Sequence, residues 1–402
     1  MDNATMHISR PPLPLNGVRV VEICNVAAGP FCGMLLADMG AEIVKIELPS
    51  GDMLRQWPPH TDGFSENFAS LNRGKRSIAL DLKHDDDRAI ARDLILESDV
   101  VLENNRPGAM DRLGLGYRAM AGQRPSLIYC SISAFGQSGP RSAEGGFDVT
   151  VQAASGIMSV TGEPGGVPVK CGVPVADFTA GLYGAYAICA ALVRVRAGGE
   201  GGHIAIPMLG TSLAIGALQT SEFFGTGTDP MPLGSAHPRN APYQAYKAAD
   251  RFFVIAAGND KLWRGVCDVI GTPDLAADPR FLTVADRAAN QVSLADTLNG
   301  SFGARTAAYW LEACAAAGVP ASPINTYSEA LADPQVAHAG WMVPLRLPSG
   351  AMTRTFASPV HISGVALPIS KGPPALDADR DAILAIVRAG PDELQPATEA
   401  LS

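Results

Sequence analysis

Asp177 stands alone in GVPVADFTAG, residues 172–181, between an apolar run and the small residues of a helix start. A carboxylate in such surroundings needs a hydrogen bond, a counter-charge or a proton to offset its lost hydration, and the stretch holds no basic residue. Three roles fit. As the N-cap of a helix over 178–196 it would accept backbone N–H groups. As a general base it would take a substrate proton at a tuned pKa. As a nucleophile it must be ionised, reachable and aimed at an electrophilic carbonyl, with backbone N–H groups ready for the oxyanion. On the residues alone, the cap is favoured.

A second group of residues is basic or amide-bearing. Arg73, Lys75 and Arg76 precede one strand candidate and Lys83 follows it; Asn104, Arg106 and Arg112 follow the next, in ENNRPGAMDR (103–112). Ligands of an open parallel sheet bind outside the carboxyl ends of its strands, so Lys83, Asn104, Arg106 and Arg112 could share one crevice as a phosphate-binding rim. Ordinary solvated charges would look the same.

Other chemistry finds no pattern. The glycines of NVAAGPFCG (25–33) are wrongly spaced for a dinucleotide turn, NRGKRS (72–77) lacks the upstream glycine of a phosphate loop, and FGQSG (135–139) is no nucleophile elbow. The seven histidines show no paired spacing with acids, so no metal is expected. His237, in SAHPRNAPY, is kept as a site candidate against a plain turn role. Seven cysteines without C-x-x-C spacing fit neither a disulfide framework nor a structural zinc, and point to a reducing cytoplasm.

The elements that must position these residues read as a parallel α/β sheet. Branched runs at 18–23, 42–47, 77–82, 99–104, 127–133 and 203–208 alternate with helical stretches such as 30–40, which begins on Pro30 and ends on Gly40. The fold class expected is a Rossmann-like, doubly wound parallel sheet over 1–224, a smaller α+β domain over 225–330, and a return to the large domain over 331–402. The proline-bearing start of the chain reads as a loose arm, without a secretory apolar core. The apolar stretch 178–193 falls short of a membrane span and reads as a core helix. At 47% hydrophobic and 18% charged residues the chain should bury a large core, and a net charge of −9 argues against a nucleic-acid surface. Neither nucleic acid nor membrane is an expected partner.

Taken in order, LNGVRVVEICNVAAGPFCGMLLADMGAEIVKIE (15–47), NRGKRSIALDLK (72–83), SDVVLENNRPGAMDRLGLGY (98–117), SISAFGQSGP (131–140) and GVPVADFTAG resemble the family III CoA-transferases. That family includes formyl-CoA transferase, carnitine CoA-transferase and alpha-methylacyl-CoA racemase. The resemblance implies two interlocked chains, a homodimer, with Asp177 as nucleophile. It implies CoA contacts at Ala28, Leu80, Lys83, Asn104, Arg106 and Arg112, and Leu48 stands where relatives often have an arginine contact. Asn25, Phe147, His237 and Arg239 make up the expected substrate pocket. Racemase-like members carry a histidine before the Asp of a GHD stretch; here GGFDV (145–149) puts Phe147 there, and phenylalanine accepts no proton. The activity expected is therefore transfer of CoA from an acyl-CoA, such as succinyl-CoA, to a small carboxylic acid through an aspartyl anhydride and an aspartyl-CoA thioester. CoA is then a substrate and no cofactor is permanently bound. A 2-methylacyl-CoA racemase and a non-catalytic acyl-CoA-binding protein are the alternatives.

Overall fold

The computed structural model describes residues 12–389; the expected N-terminal arm, up to residue 11, lies outside the described residues. The chain divides into two compact units. Among the described residues the first contains 12–157, Cys171–Ser221 and 339–389; the second contains Met158–Lys170 and Glu222–His338. The second unit thus takes in 158–170, which a linear division at residue 224 leaves with the first, and the chain returns at 339 instead of 331.

Six strands form the sheet of the first unit: β1 (Arg19–Ile23), β2 (Glu42–Glu47), β3 (Lys75–Ala79), β4 (Val100–Glu103), β5 (Ile128–Ser133) and β6 (Gly202–Pro207). Their order is β3-β2-β1-β4-β5-β6 and every neighbouring pair is parallel. This is the doubly wound order, with its reversal between β1 and β4. Strands buried on both faces read as continuous apolar runs, and VVLE in β4 is wholly buried. β3 begins two residues before the expected strand because Lys75 is fully buried inside the sheet instead of standing on a solvated rim.

The helices that bear on the site are α1 (Ala28–Asp38), α2 (Asp85–Leu96), α3 (Asp148–Ala154) and α4 (Val175–Arg196). α4 has 22 residues, long and apolar enough by composition to cross a membrane. Its face of Ala176, Ala180, Gly181, Gly184, Ile188 and Leu192 is nevertheless buried in the core with α1 and β5. Gly181 permits that approach: a Cβ there would lie 2.8 Å from the Ala28 carbonyl oxygen and 2.9 Å from the Phe31 ring. The returning tail covers the open edge of β3, where Asp377 Oδ1 accepts the Ala79 N–H at 2.8 Å and Asp379 Oδ2 the Ser77 N–H at 3.0 Å. Pairing an edge in this way removes a template for strand addition.

The second unit has its own core. Tyr243–Lys247 (β7), Phe252–Ala256 (β8) and Ala321–Pro323 (β9) form an antiparallel sheet with β8 in the middle. Trp263, Phe281, Phe302 and Trp310 pack in the core beside it.

Candidate active site

The ends of β1 and β4 meet at the point where the sheet order reverses. After β1, Asn25 is exposed, and Asn104, the first residue after β4, takes both of its backbone groups: Oδ1 accepts the Asn25 N–H at 2.9 Å and Nδ2 donates to the Asn25 carbonyl at 2.8 Å. Three residues on, Ala28 opens α1 with no side chain capping the helix. The Phe31 and Phe178 rings, 4.5 Å apart, join α1 to the start of α4.

Asp177 lies in the first turn of α4, one helical turn before Gly181 and so on the face that meets Ala28. The cap expected of it is supplied from elsewhere. Asp148, at the start of α3, accepts the Ala176 N–H on Oδ1 at 2.9 Å and the Gln152 Nε2–H on Oδ2 at 2.7 Å. Gln152, four residues on and fully buried, accepts the Cys171 N–H at 2.8 Å. These two side chains latch the segment that leads into Asp177. Sequence reading used GGFDV only for its missing histidine; the signal overlooked was an acid and an amide at i and i+4 on one helix face.

The state of Asp177 also differs from expectation. A helix N-terminus favours a charged acid, yet the Asp177 carboxyl is pushed up to about 7, first by burial and then by the like charge of Asp148. Because α4 starts at Val175 instead of 178, the free amides of its first turn come before Asp177 and are engaged, Val175 with the Val173 carbonyl and Ala176 with Asp148. Among the described residues no hydrogen bond reaches the Asp177 carboxyl. Its own helix does not compensate this acid, and burial shifts it toward the protonated form instead.

Lys83, Arg106 and Arg112 are exposed and form no ion pair among the described residues. They follow β3 and β4, on the same rim as Asn25 and Asn104. Arg106 lies beside Gly145, whose Cβ would fall 3.2 Å from its Nη2, and reaches a cavity of about 740 Å³ that includes Tyr117, Ser131 and His203. Leu80 is fully buried in the core, so only its backbone can meet a ligand. Phe147 is 70% exposed. His237 and Arg239 belong to the second unit, where they have local work: His237 Nδ1 accepts the N–H groups of Arg239 and Asn240, both at 3.1 Å, and the Arg239 guanidinium pairs with Glu222 at 2.8 Å. No group of three or more metal-ligating side chains occurs among the described residues.

Fold and crevice define a doubly wound α/β protein with an acid-bearing helix at its switch point. Over residues 15–380 the chain matches CoA-transferase family III, and it belongs to that family. It is 39% identical over 380 residues to the succinate–glutarate CoA-transferase of Agrobacterium fabrum, which covers 92% of this chain and 95% of that one. It is 40% identical over 372 residues to the acetyl-CoA:oxalate CoA-transferase of Acetobacter aceti, covering 92% and 94%. Among solved structures, a CaiB/BaiF family protein from Brucella suis superposes with a TM-score of 0.84 at 37% identity, over 94% of this chain and all of the other. The chain is thus a CoA-transferase, a class whose substrates are CoA thioesters.

Proposed function

We propose that the protein moves CoA from a donor such as succinyl-CoA to a small carboxylic acid, with Asp177 as the covalent nucleophile. One observation carries this reading: Asp177 is the carboxyl that leads the α4 face against the switch-point crevice, and no hydrogen bond among the described residues ties it down. The ionised Asp177 carboxylate attacks the donor thioester carbonyl, the C–S bond breaks and CoA leaves as thiolate, giving a mixed anhydride. The thiolate attacks the Asp177 carbonyl and releases the donor acid as carboxylate. The acceptor carboxylate displaces CoA from the aspartyl thioester, and the thiolate then takes the acceptor acyl group and frees Asp177. Acyl transfer potential is kept only if water stays out, which suits a carboxyl shielded enough to hold its proton to about pH 7. The donor and acceptor follow the names of its relatives, which act on succinate, glutarate, acetyl-CoA and oxalate.

Hydroxylamine added with donor acyl-CoA is expected to leave a hydroxamate on Asp177, seen by peptide mass analysis; an unmodified Asp177 in a protein that still transfers CoA would reject the covalent role. A carboxyl titrating near 7 also suits abstraction of an alpha proton. Deuterium uptake from solvent into a branched acyl-CoA would favour that second reading, and the transferase reading expects none.

Lys83 and Arg112 are the intended partners of the CoA phosphates, with Ala28, Leu80, Asn104 and Arg106 completing the CoA site. Removing either cation should raise KM for acyl-CoA about tenfold, the size of one charge-assisted contact, with the loss shrinking at high salt. The working form is an interlocked homodimer, supported by the apolar side chains that α4 leaves in solvent, Tyr186 at 72% and Val193 at 71% exposure. A cytoplasmic location is supported by the spacing of the seven cysteines, none of which falls in a C-x-x-C pair.

A further inference from the structure

Val26, the residue after Asn25 in the β1–α1 turn, holds φ at +64°. For a β-branched side chain the left-handed region is a steric outlier, and a residue stays there only where its surroundings fix it. Here the surroundings are buried charges. Asp52 Oδ1 accepts the Val26 N–H at 3.2 Å, while Asp52 Oδ2 lies 3.0 Å from Lys45 Nζ. Lys45 Nζ donates to the Cys24 carbonyl at 2.7 Å, so one ion pair grips the turn on both sides of Asn25. Glu22 joins Lys45, at 3.1 Å, to Lys75, at 2.8 Å, and Lys75 Nζ donates to the Pro30 carbonyl at 2.9 Å. Glu22, Lys45, Asp52 and Lys75 are all 0% exposed.

Such a set is a poor device for stability, because apolar residues of the same volume usually do as well as a buried ion pair. What it does specifically is fix a carbonyl or an N–H at residues 24, 26 and 30. Asn104 holds both backbone groups of Asn25 between them. Burial lowers the Lys45 pKa, but Glu22, Asp52 and Glu47 outweigh it and raise the value above that of a free lysine. Lys45 therefore keeps its charge at neutral pH.

We propose that Asp52 and Lys45 are positioning residues for CoA transfer, holding Val26 in its strained conformation and so setting the turn that carries Asn25 and Ala28 against the Asp177 face of α4. The inference rests on the reading of that crevice as the transfer site. Neither residue touches the reacting atoms. Each acts through the backbone of the turn.

The test pairs loss of the clamp with relief of the strain. Asp52→Ala should lower kcat on the order of 100-fold, as expected for a small misplacement at a reacting centre, with a much smaller rise in KM for acyl-CoA. Asp52→Asn, whose amide oxygen can still accept the Val26 N–H but whose amide nitrogen then faces Lys45 Nζ, should lose less kcat than Asp52→Ala without reaching wild type. Glycine takes the left-handed conformation freely, so Asp52→Ala combined with Val26→Gly should recover much of what Asp52→Ala loses. Amide exchange read by mass spectrometry should rise in the peptide spanning 24–31 in Asp52→Ala and fall back in the double variant. If Asp52→Ala does not fold, Val26→Pro carries the same test: proline cannot reach φ +64° and has no N–H, while every buried charge stays in place. A Val26→Pro enzyme with wild-type kcat, a double variant no better than Asp52→Ala, or exchange that rises across the whole sheet would each overturn the proposal. A wild-type protein that transfers CoA between no pair of acids overturns the functional reading instead.

Discussion

Asp177→Ala is expected to lower CoA transfer by on the order of 10⁴-fold or more, while acyl-CoA binding by calorimetry and the circular dichroism spectrum stay close to wild type. The side chain carries no packing role that alanine would disrupt: it is only partly buried, and the latch into α4 is made by Asp148 on Ala176, one residue earlier. Turnover retained in Asp177→Ala would remove it from the chemistry. The same position gives a second readout that needs no substrate. The folded-state pKa is about 7, against roughly 3.9 for an unfolded aspartate, and each unit is worth about 1.4 kcal/mol. Below both values the acid is protonated in either state and costs nothing. As pH rises from about 4 to 7 the unfolded chain ionises while the folded one does not, so stability is lost, by a few kcal/mol once pH exceeds the folded value. Asp177→Asn lacks that loss. Its melting temperature should match wild type near pH 4 and exceed it most at pH 8, and a difference that does not change with pH would mean that Asp177 titrates alike in the folded and unfolded chain.

The large features of this fold are open to sequence reading because they arise from local composition. Apolar runs such as VRVVEI and EIVKIE fall on β1 and β2 almost to the residue, and the α/β alternation yields a parallel sheet. Asp177 and the cations after β3 and β4 were reached the same way, as chemistry-bearing types at strand and helix ends. What stayed hidden depends on contacts between distant segments. A lysine in a strand reads as solvated, yet Lys75 is the centre of a buried network because Glu22, Asn72 and the Pro30 carbonyl converge on it. The segment 158–170 has no periodicity, so nothing local assigns it to the second unit. The start of α4 was placed too late for a related reason. Asp177 is the first strong capping type in the stretch, and a cap lent by α3 across 28 residues, from Asp148 to Ala176, leaves no trace in the local pattern.

That borrowed cap makes Asp148 the position where charge and geometry can be separated. If Asp177 must be ionised to attack, kcat/KM should fall as pH drops through about 7, since this parameter reports the free enzyme. Asp148 contributes to that limb by like-charge repulsion, the second cause after burial. In Asp148→Asn the repulsion is gone, while the amide oxygen can still accept the Ala176 N–H; the bond from Gln152 is lost, because two amide nitrogens then face each other. The acidic limb should move to lower pH without reaching the ordinary carboxyl range, because burial, the larger cause, remains. At pH 6 the variant should therefore gain on wild type relative to pH 8. Asp148→Ala removes the charge and both bonds, costing about 1 kcal/mol of helix capping and freeing the segment from Cys171 to Ala176. Its limb should move the same way, but with kcat reduced at every pH. A limb that stays in place in both variants would show that Asp148 serves only to hold the helix start, and that the proton on Asp177 is retained by burial alone.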